Sequence, residues 1–134
     1  MFELHPRLAA DTREATRLSL CRVLLMNDRR FPWLILVPAR ADIREIHQLA
    51  AADRATLVEE IAKVAQAMET LHKADKMNVA ALGNQVPQLH VHVIARFTAD
   101  PAWPNPVWGR GTAEAYDPAQ MDRTIAAVKA ALGV

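Results

Sequence analysis

Cysteine is nearly absent from this chain: Cys21 stands alone among 134 residues. One thiol excludes a disulfide framework and a cysteine-rich zinc site, and it fits a reducing cytoplasm. An excess of one charge is missing too. Sixteen Lys and Arg against fifteen Asp and Glu leave a formal net charge of +1, which suggests neither a nucleic-acid surface nor a membrane surface. No apolar run approaches the length of a membrane span. The opening Met1-Phe2-Glu3-Leu4-His5-Pro6-Arg7 lacks the basic start and apolar stretch of a secretory signal. Internal repeats and low-complexity tracts are lacking. What remains is 51% hydrophobic and 23% charged, an ordinary globular composition at the size of one domain, expected to span 1–134.

The chain is organised around Pro87-Gln88-Leu89-His90-Val91-His92-Val93-Ile94-Ala95-Arg96. Polar and apolar residues alternate here, the pattern of a half-buried strand. Gln88, His90 and His92 would share one face, with Leu89, Val91 and Val93 on the other. Three readings compete for that polar row. It can be an ordinary strand face that carries histidines. It can be a metal site, since imidazoles at i, i+2 can chelate, but no third ligand stands at a recognisable spacing. Or it can be a nucleophilic site, with one imidazole attacking and its neighbours orienting it or steadying charge.

The flanking sequence reads as strands and helices around that row. Residues 4–15 form a helical turn or ordered lead-in. Thr16–Met26 reads as a strand, Asn27-Asp28-Arg29-Arg30 as a turn, and Phe31–Val37 as a more buried strand closed by Pro38. After a connection at 39–52, a helix begins near Asp53 as its N-cap. Leu57, Ile61, Val64, Met68 and Leu71 form its apolar stripe, with Glu59 and Lys63 paired on the outer face. Met77–Leu82 is a third strand, and Gly83–Pro87 is a loop whose amides could face an oxyanion. Three Pro and two Gly between Asp100 and Gly111 exclude regular structure there. Trp103 and Trp108 in that stretch either pack on the core or cover a ligand. A last helix is capped by Asp117, starts at Pro118 and ends at Gly133.

Gln88-Leu89-His90-Val91-His92-Val93-Ile94 resembles the signature His-φ-His-φ-His-φ-φ (φ apolar) of the histidine-triad (HIT) superfamily of nucleotide hydrolases and transferases. Gln88 stands where the first histidine would be, and the likeness is to bacterial-type members. The resemblance covers 16–96 and leaves 97–134 as a C-terminal extension. It implies an α+β, HIT-like fold: an antiparallel sheet with one long helix packed on it, followed here by the C-terminal helix. It implies His90 as the nucleophile, His92 as a hydrogen-bond donor to a phosphate or leaving-group oxygen, and Gln88 as a neutral support. It places Asn27 on the ribose hydroxyls, Leu25 and Met26 beside the base, and Asn84, Gln85 and Asn78 near the phosphates. The reaction implied is release of a mononucleotide from a phosphoramidate or dinucleoside polyphosphate through a nucleotidyl-histidine, with no metal or cofactor, by a homodimer. The alternative is a nucleotide-binding or interaction protein that keeps the pocket without turnover.

Overall fold

Apolar side chains alternate along three central strands, and that alternation divides the protein into two cores. The computed structural model describes residues 1–134. In chain order its elements are α1 (Pro6–Asp11), β1 (Thr12–Arg17), β2 (Cys21–Met26), β3 (Trp33–Pro38), α2 (Ala51–His72), β4 (Lys76–Ala80), β5 (Val91–Arg96) and α3 (Pro118–Leu132). The strands form one antiparallel sheet in the order β1-β2-β3-β5-β4. The fold is therefore α+β, an antiparallel sheet with helices packed on it.

Val23 and Leu25, Leu34 and Leu36, and Val91 and Val93 point to one face of the sheet, where they meet Leu57, Val64 and Met68 of α2. Met121, Val128 and Leu132 of α3 join the same core. The alternate residues Leu24, Ile35, Val37 and Ile94 point the other way. They are covered by Leu8 of α1, by Phe31, and by Ala102 and Val107 of the strap after β5. Both faces of β5 are therefore buried, and so are all six of its residues. The alternation of Gln-Leu-His-Val-His-Val predicts a solvated polar face. Instead, that face carries a second core.

Some boundaries differ from the sequence expectation, each for a tertiary reason. The strand expected over Thr16–Met26 is two strands joined by a tight turn at Leu18-Ser19-Leu20, and β1 begins four residues earlier. The turn is held from outside: the buried Glu60 carboxylate of α2 accepts the N–H groups of Leu20 at 2.9 Å and Cys21 at 2.8 Å. Helix α2 starts at Ala51, with Ala50 in the N-cap position. Asp53 sits inside its first turn, where its carboxylate binds the Arg40 guanidinium at 2.8 and 3.1 Å. The strand expected over Met77–Leu82 is β4, which stops at Ala80, and the histidine strand β5 starts only at Val91, so His90 belongs to the preceding loop. Helix α3 follows its sequence signals: Asp117 accepts the Gln120 N–H at 2.8 Å, and Gly133 ends the helix at φ 73°.

The strap over the second core is fastened at Arg96. Its buried guanidinium binds Asp100 at 2.8 and 3.0 Å, the Asn105 carbonyl at 2.8 Å and Asn78 Oδ1 at 2.8 Å. Burial alone would raise the Asp100 carboxyl, but the Arg96 guanidinium and three backbone N–H groups bring it down to about 2. No helix is long and apolar enough to cross a membrane.

Candidate active site

The loop from Ala81 to His90 returns the chain to the sheet, and Leu89 anchors it by burying its side chain and donating its N–H to the Ile43 carbonyl at 2.9 Å. His90 follows directly. Its Nδ1 lies 2.6 Å from the Gln88 carbonyl oxygen. A carbonyl only accepts, so Nδ1 carries the hydrogen and Nε2 keeps its lone pair. Gly83 lies flat against this ring: a Cβ there would stand 3.0 Å from His90 Cε1 and 3.0 Å from the Val86 carbonyl oxygen.

His92 is fixed at both nitrogens. The Trp33 indole N–H donates to Nδ1 at 3.0 Å, and an indole N–H can do nothing else. The ring hydrogen is therefore on Nε2, which donates to the Leu82 carbonyl at 3.1 Å. Trp108 meets the same ring edge-to-face at 4.9 Å between centroids, and His90 does so at 5.0 Å. Burial is the largest influence on His92. It outweighs the Leu82 carbonyl, and with His90 nearby it brings the imidazole down to about 4. His92 is accordingly neutral at physiological pH, with no free N–H to offer.

His90 stands in the wall between two cavities. The smaller, about 300 Å³, is lined by Leu8, Met26, Trp33, Ile35 and Trp108, with His90 and His92. Arg7 and Asp11 of α1 and Asn84 and Gln85 of the loop add polar groups to its lining. The larger, about 960 Å³, has a polar lining that includes Arg44, His47, Arg54, Gly83, Asn84 and His90. No group of three or more His, Cys, Asp or Glu is gathered as a metal site would require. Cys21 is no competing nucleophile: burial, and after it the Glu60 carboxylate, push its thiol far up.

The model of the HIT domain family matches residues 9–99, two thirds of the chain. The chain belongs to the HIT domain family. It is similar along its whole length to solved histidine triad proteins. One from Marinobacter aquaeolei is 48% identical, covering 99% of this chain and 97% of that one, at a TM-score of 0.97. One from Bradyrhizobium japonicum is 46% identical, covering 98% of each chain, at 0.95. One from Sinorhizobium meliloti is 48% identical, covering 96% of each, at 0.94. No curated protein matches the chain.

In this HIT protein the residues singled out from sequence fall into two groups. His90, His92, Asn84, Gln85 and Met26 come together at the smaller cavity. Gln88, Asn27, Leu25 and Asn78 are engaged elsewhere. The Gln88 carboxamide accepts the His5 N–H at 2.8 Å and donates to the Glu3 carbonyl at 2.8 Å, so it clamps the N-terminal arm and supports His90 only through its backbone carbonyl. Asn27 accepts the Tyr116 N–H at 2.9 Å and tethers the C-terminal segment. Leu25 has the parity of the helix-side core, so the sheet lies between it and the histidines. Asn78 is bound by Arg96. Trp33 and Leu82 have no local signature of their contacts with His92, and Gly83, read from sequence as part of an oxyanion-facing loop, proves to pack against the His90 ring. A tryptophan in the tail was recognisable as needing a partner, and Trp108 finds it in His92 and Trp33.

Proposed function

We propose that this HIT protein is a nucleotide hydrolase or transferase that acts on the α-phosphorus of a nucleoside phosphate derivative through a nucleotidyl-His90 intermediate. The observation that carries this reading is the hydrogen bond from His90 Nδ1 to the Gln88 carbonyl. It leaves the Nε2 lone pair as the one free nucleophilic atom at the junction of an aromatic, apolar cavity with a polar one. The base would lie among Met26, Trp33, Ile35 and Trp108. With the Asn27 side-chain carbonyl tied to Tyr116, the Asp11 carboxylate, which lines the same cavity, would accept from the ribose hydroxyls. Asn84 and Gln85 would hold the phosphate oxygens.

In the first step Nε2 attacks phosphorus, an N–P bond forms, and the bond to the leaving group breaks with its electron pair departing on that group. In the second, water attacks the same phosphorus and releases a proton to solvent, and the pair of the N–P bond returns to Nε2. Two moderate barriers replace one high barrier. His92 has both nitrogens engaged, so its contribution is to fix the wall beside His90, not to supply a proton. Pairing of two copies through α2 and the edge strand β4 is part of the same proposal: Val58, Leu71 and Val79 are exposed there, and light scattering on the purified protein tests it.

The experiment is incubation with an adenosine phosphoramidate and with a dinucleoside polyphosphate, following AMP. Release of AMP, with label from the substrate trapped on His90 and absent from His90→Ala, is the expected result. Binding of nucleotide with no AMP from either substrate would establish the rival, a non-catalytic nucleotide-binding protein.

A further inference from the structure

The larger cavity has a charge pattern that the nucleophile alone does not explain. Eight of the twelve arginines pair with a carboxylate: Arg7, Arg13, Arg17, Arg22, Arg29, Arg30, Arg40 and Arg96. Of the remaining four, Arg44 and Arg54 line this one cavity, with His47 between them in sequence. Neither Arg44 nor His47 makes a side-chain hydrogen bond, and Arg54 makes one, from Nη1 to the Leu49 carbonyl at 2.5 Å. Glu45 is the only acid in the lining. Two guanidiniums without a carboxylate partner, in a chamber about three times the volume of the aromatic one, make a receptor for anionic oxygens.

A second observation points the same way. The leaving group departs on the side of His90 away from the base, and His92 cannot protonate it, because its one hydrogen is donated to Leu82. A group that leaves as a stable anion needs no proton. An amine does.

We propose that Arg44, His47 and Arg54 form a leaving-group subsite that selects leaving groups carrying two or more anionic oxygens beyond the scissile phosphorus. This rests on the nucleotidyl-His90 reading and adds the substrate's other half. In the displacement, the electron pair of the breaking bond ends on an oxygen of that leaving group, with the guanidiniums facing the new charge.

The test compares the phenyl and 3,5-dicarboxyphenyl esters of adenosine 5′-monophosphate, the same phenol without and with two carboxylates, alongside diadenosine tetraphosphate. Each is measured with the wild type and with Arg44→Gln/Arg54→Gln, after circular dichroism confirms that the variant is folded. The wild type should favour the dicarboxyphenyl over the phenyl ester in kcat/KM at least tenfold. The variant should lose most of that preference, and Arg44→Lys/Arg54→Lys should restore part of it. Loss on diadenosine tetraphosphate alone would identify phosphate as the anion read. Equal losses on charged and uncharged substrates, or no loss on either, would overturn the subsite. If the wild type releases no AMP from any substrate, the hydrolase reading fails. Calorimetry with tripolyphosphate then decides the subsite separately: binding that disappears in the Gln variant supports it, and absence of binding in the wild type refutes it.

Discussion

His92 should make this protein acid-sensitive in a window that its carboxylates do not explain. In the folded protein the imidazole is held neutral to about 4, whereas the free side chain protonates near 6.5. Above 6.5 both folded and unfolded chains carry the neutral ring, and His92 adds nothing to the pH dependence. As the pH falls below 6.5, the unfolded chain takes up a proton that the folded chain refuses, so stability is lost on acidification. From the ordinary and shifted values, the loss is about 2 kcal/mol by pH 5 and about 3 kcal/mol by pH 4, where it levels off as the folded ring protonates in turn. The pairs Arg96–Asp100 and Arg30–Asp28 act lower, because their carboxyls are depressed below the ordinary 3.8 and the stability they add is lost as the pH falls on through the lowered values. His72, also lowered by burial, adds to the same window as His92 and is cancelled in a comparison of variants. Urea unfolding of the wild type and of His92→Gln at pH 7, 5 and 4 isolates the effect, since Gln can accept from Trp33 and donate to Leu82 but cannot titrate. The two stabilities should draw together by about 2 kcal/mol between pH 7 and 5. Parallel curves would show that the ring is not held as the Trp33 and Leu82 hydrogen bonds require.

His90→Ala should lower nucleotide release by several orders of magnitude, because the attacking atom is gone; turnover surviving in that variant would rule out the covalent route. Gly83→Ala brings a methyl to 3.0 Å from His90 Cε1 and should reduce kcat about 10–100-fold through misplacement of the ring, with kinetics and a thermal melt as the readouts. Unchanged turnover in a folded Gly83→Ala protein would mean that the ring is not confined there. Gln88→His returns a histidine to the first position of the row but can keep only one of the two hydrogen bonds to Glu3 and His5, so stability should fall by about 0.5–1.5 kcal/mol and the His5 amide should exchange faster. An unchanged His5 exchange rate would show that the arm is held by other contacts.

What was legible in the sequence was whatever repeats locally. The α2 stripe of Leu57, Val64 and Met68, the Asp117 cap of α3 and the alternation through His92 are each written within a short run of the chain. The strand β1 was not, because Thr-Arg-Glu-Ala-Thr-Arg buries one residue, Ala15, and is defined by its pairing with β2. Glu60 looked like one more charge on a helix, and only the approach of the Leu20–Cys21 turn makes it a buried cap. The site divides the same way. The identity of His90 as the candidate nucleophile rests on a seven-residue pattern. The state of His92 depends on Trp33, 59 residues away, and on a tail whose packing no local pattern encodes. Asn27 and Gln88 have the right chemistry for a ligand, but they are used by the two ends of the chain, which a linear reading has no means of placing.

Because His90 is set in the wall between two chambers, the proposed reaction acquires a direction. A substrate lying across that wall has its base end in the narrow aromatic room and its other end in the wide cationic one, and it cannot be read backwards. Once the bond at phosphorus breaks, the leaving group can diffuse out of the wide room while the nucleotide stays tethered to the wall. The vacated room is then the doorway for whatever attacks next. Water entering it gives hydrolysis. An acceptor that settles among Arg44, His47 and Arg54 before water arrives gives transfer instead, so the choice between the two outcomes lies with the occupant of the wide chamber and not with the nucleophile.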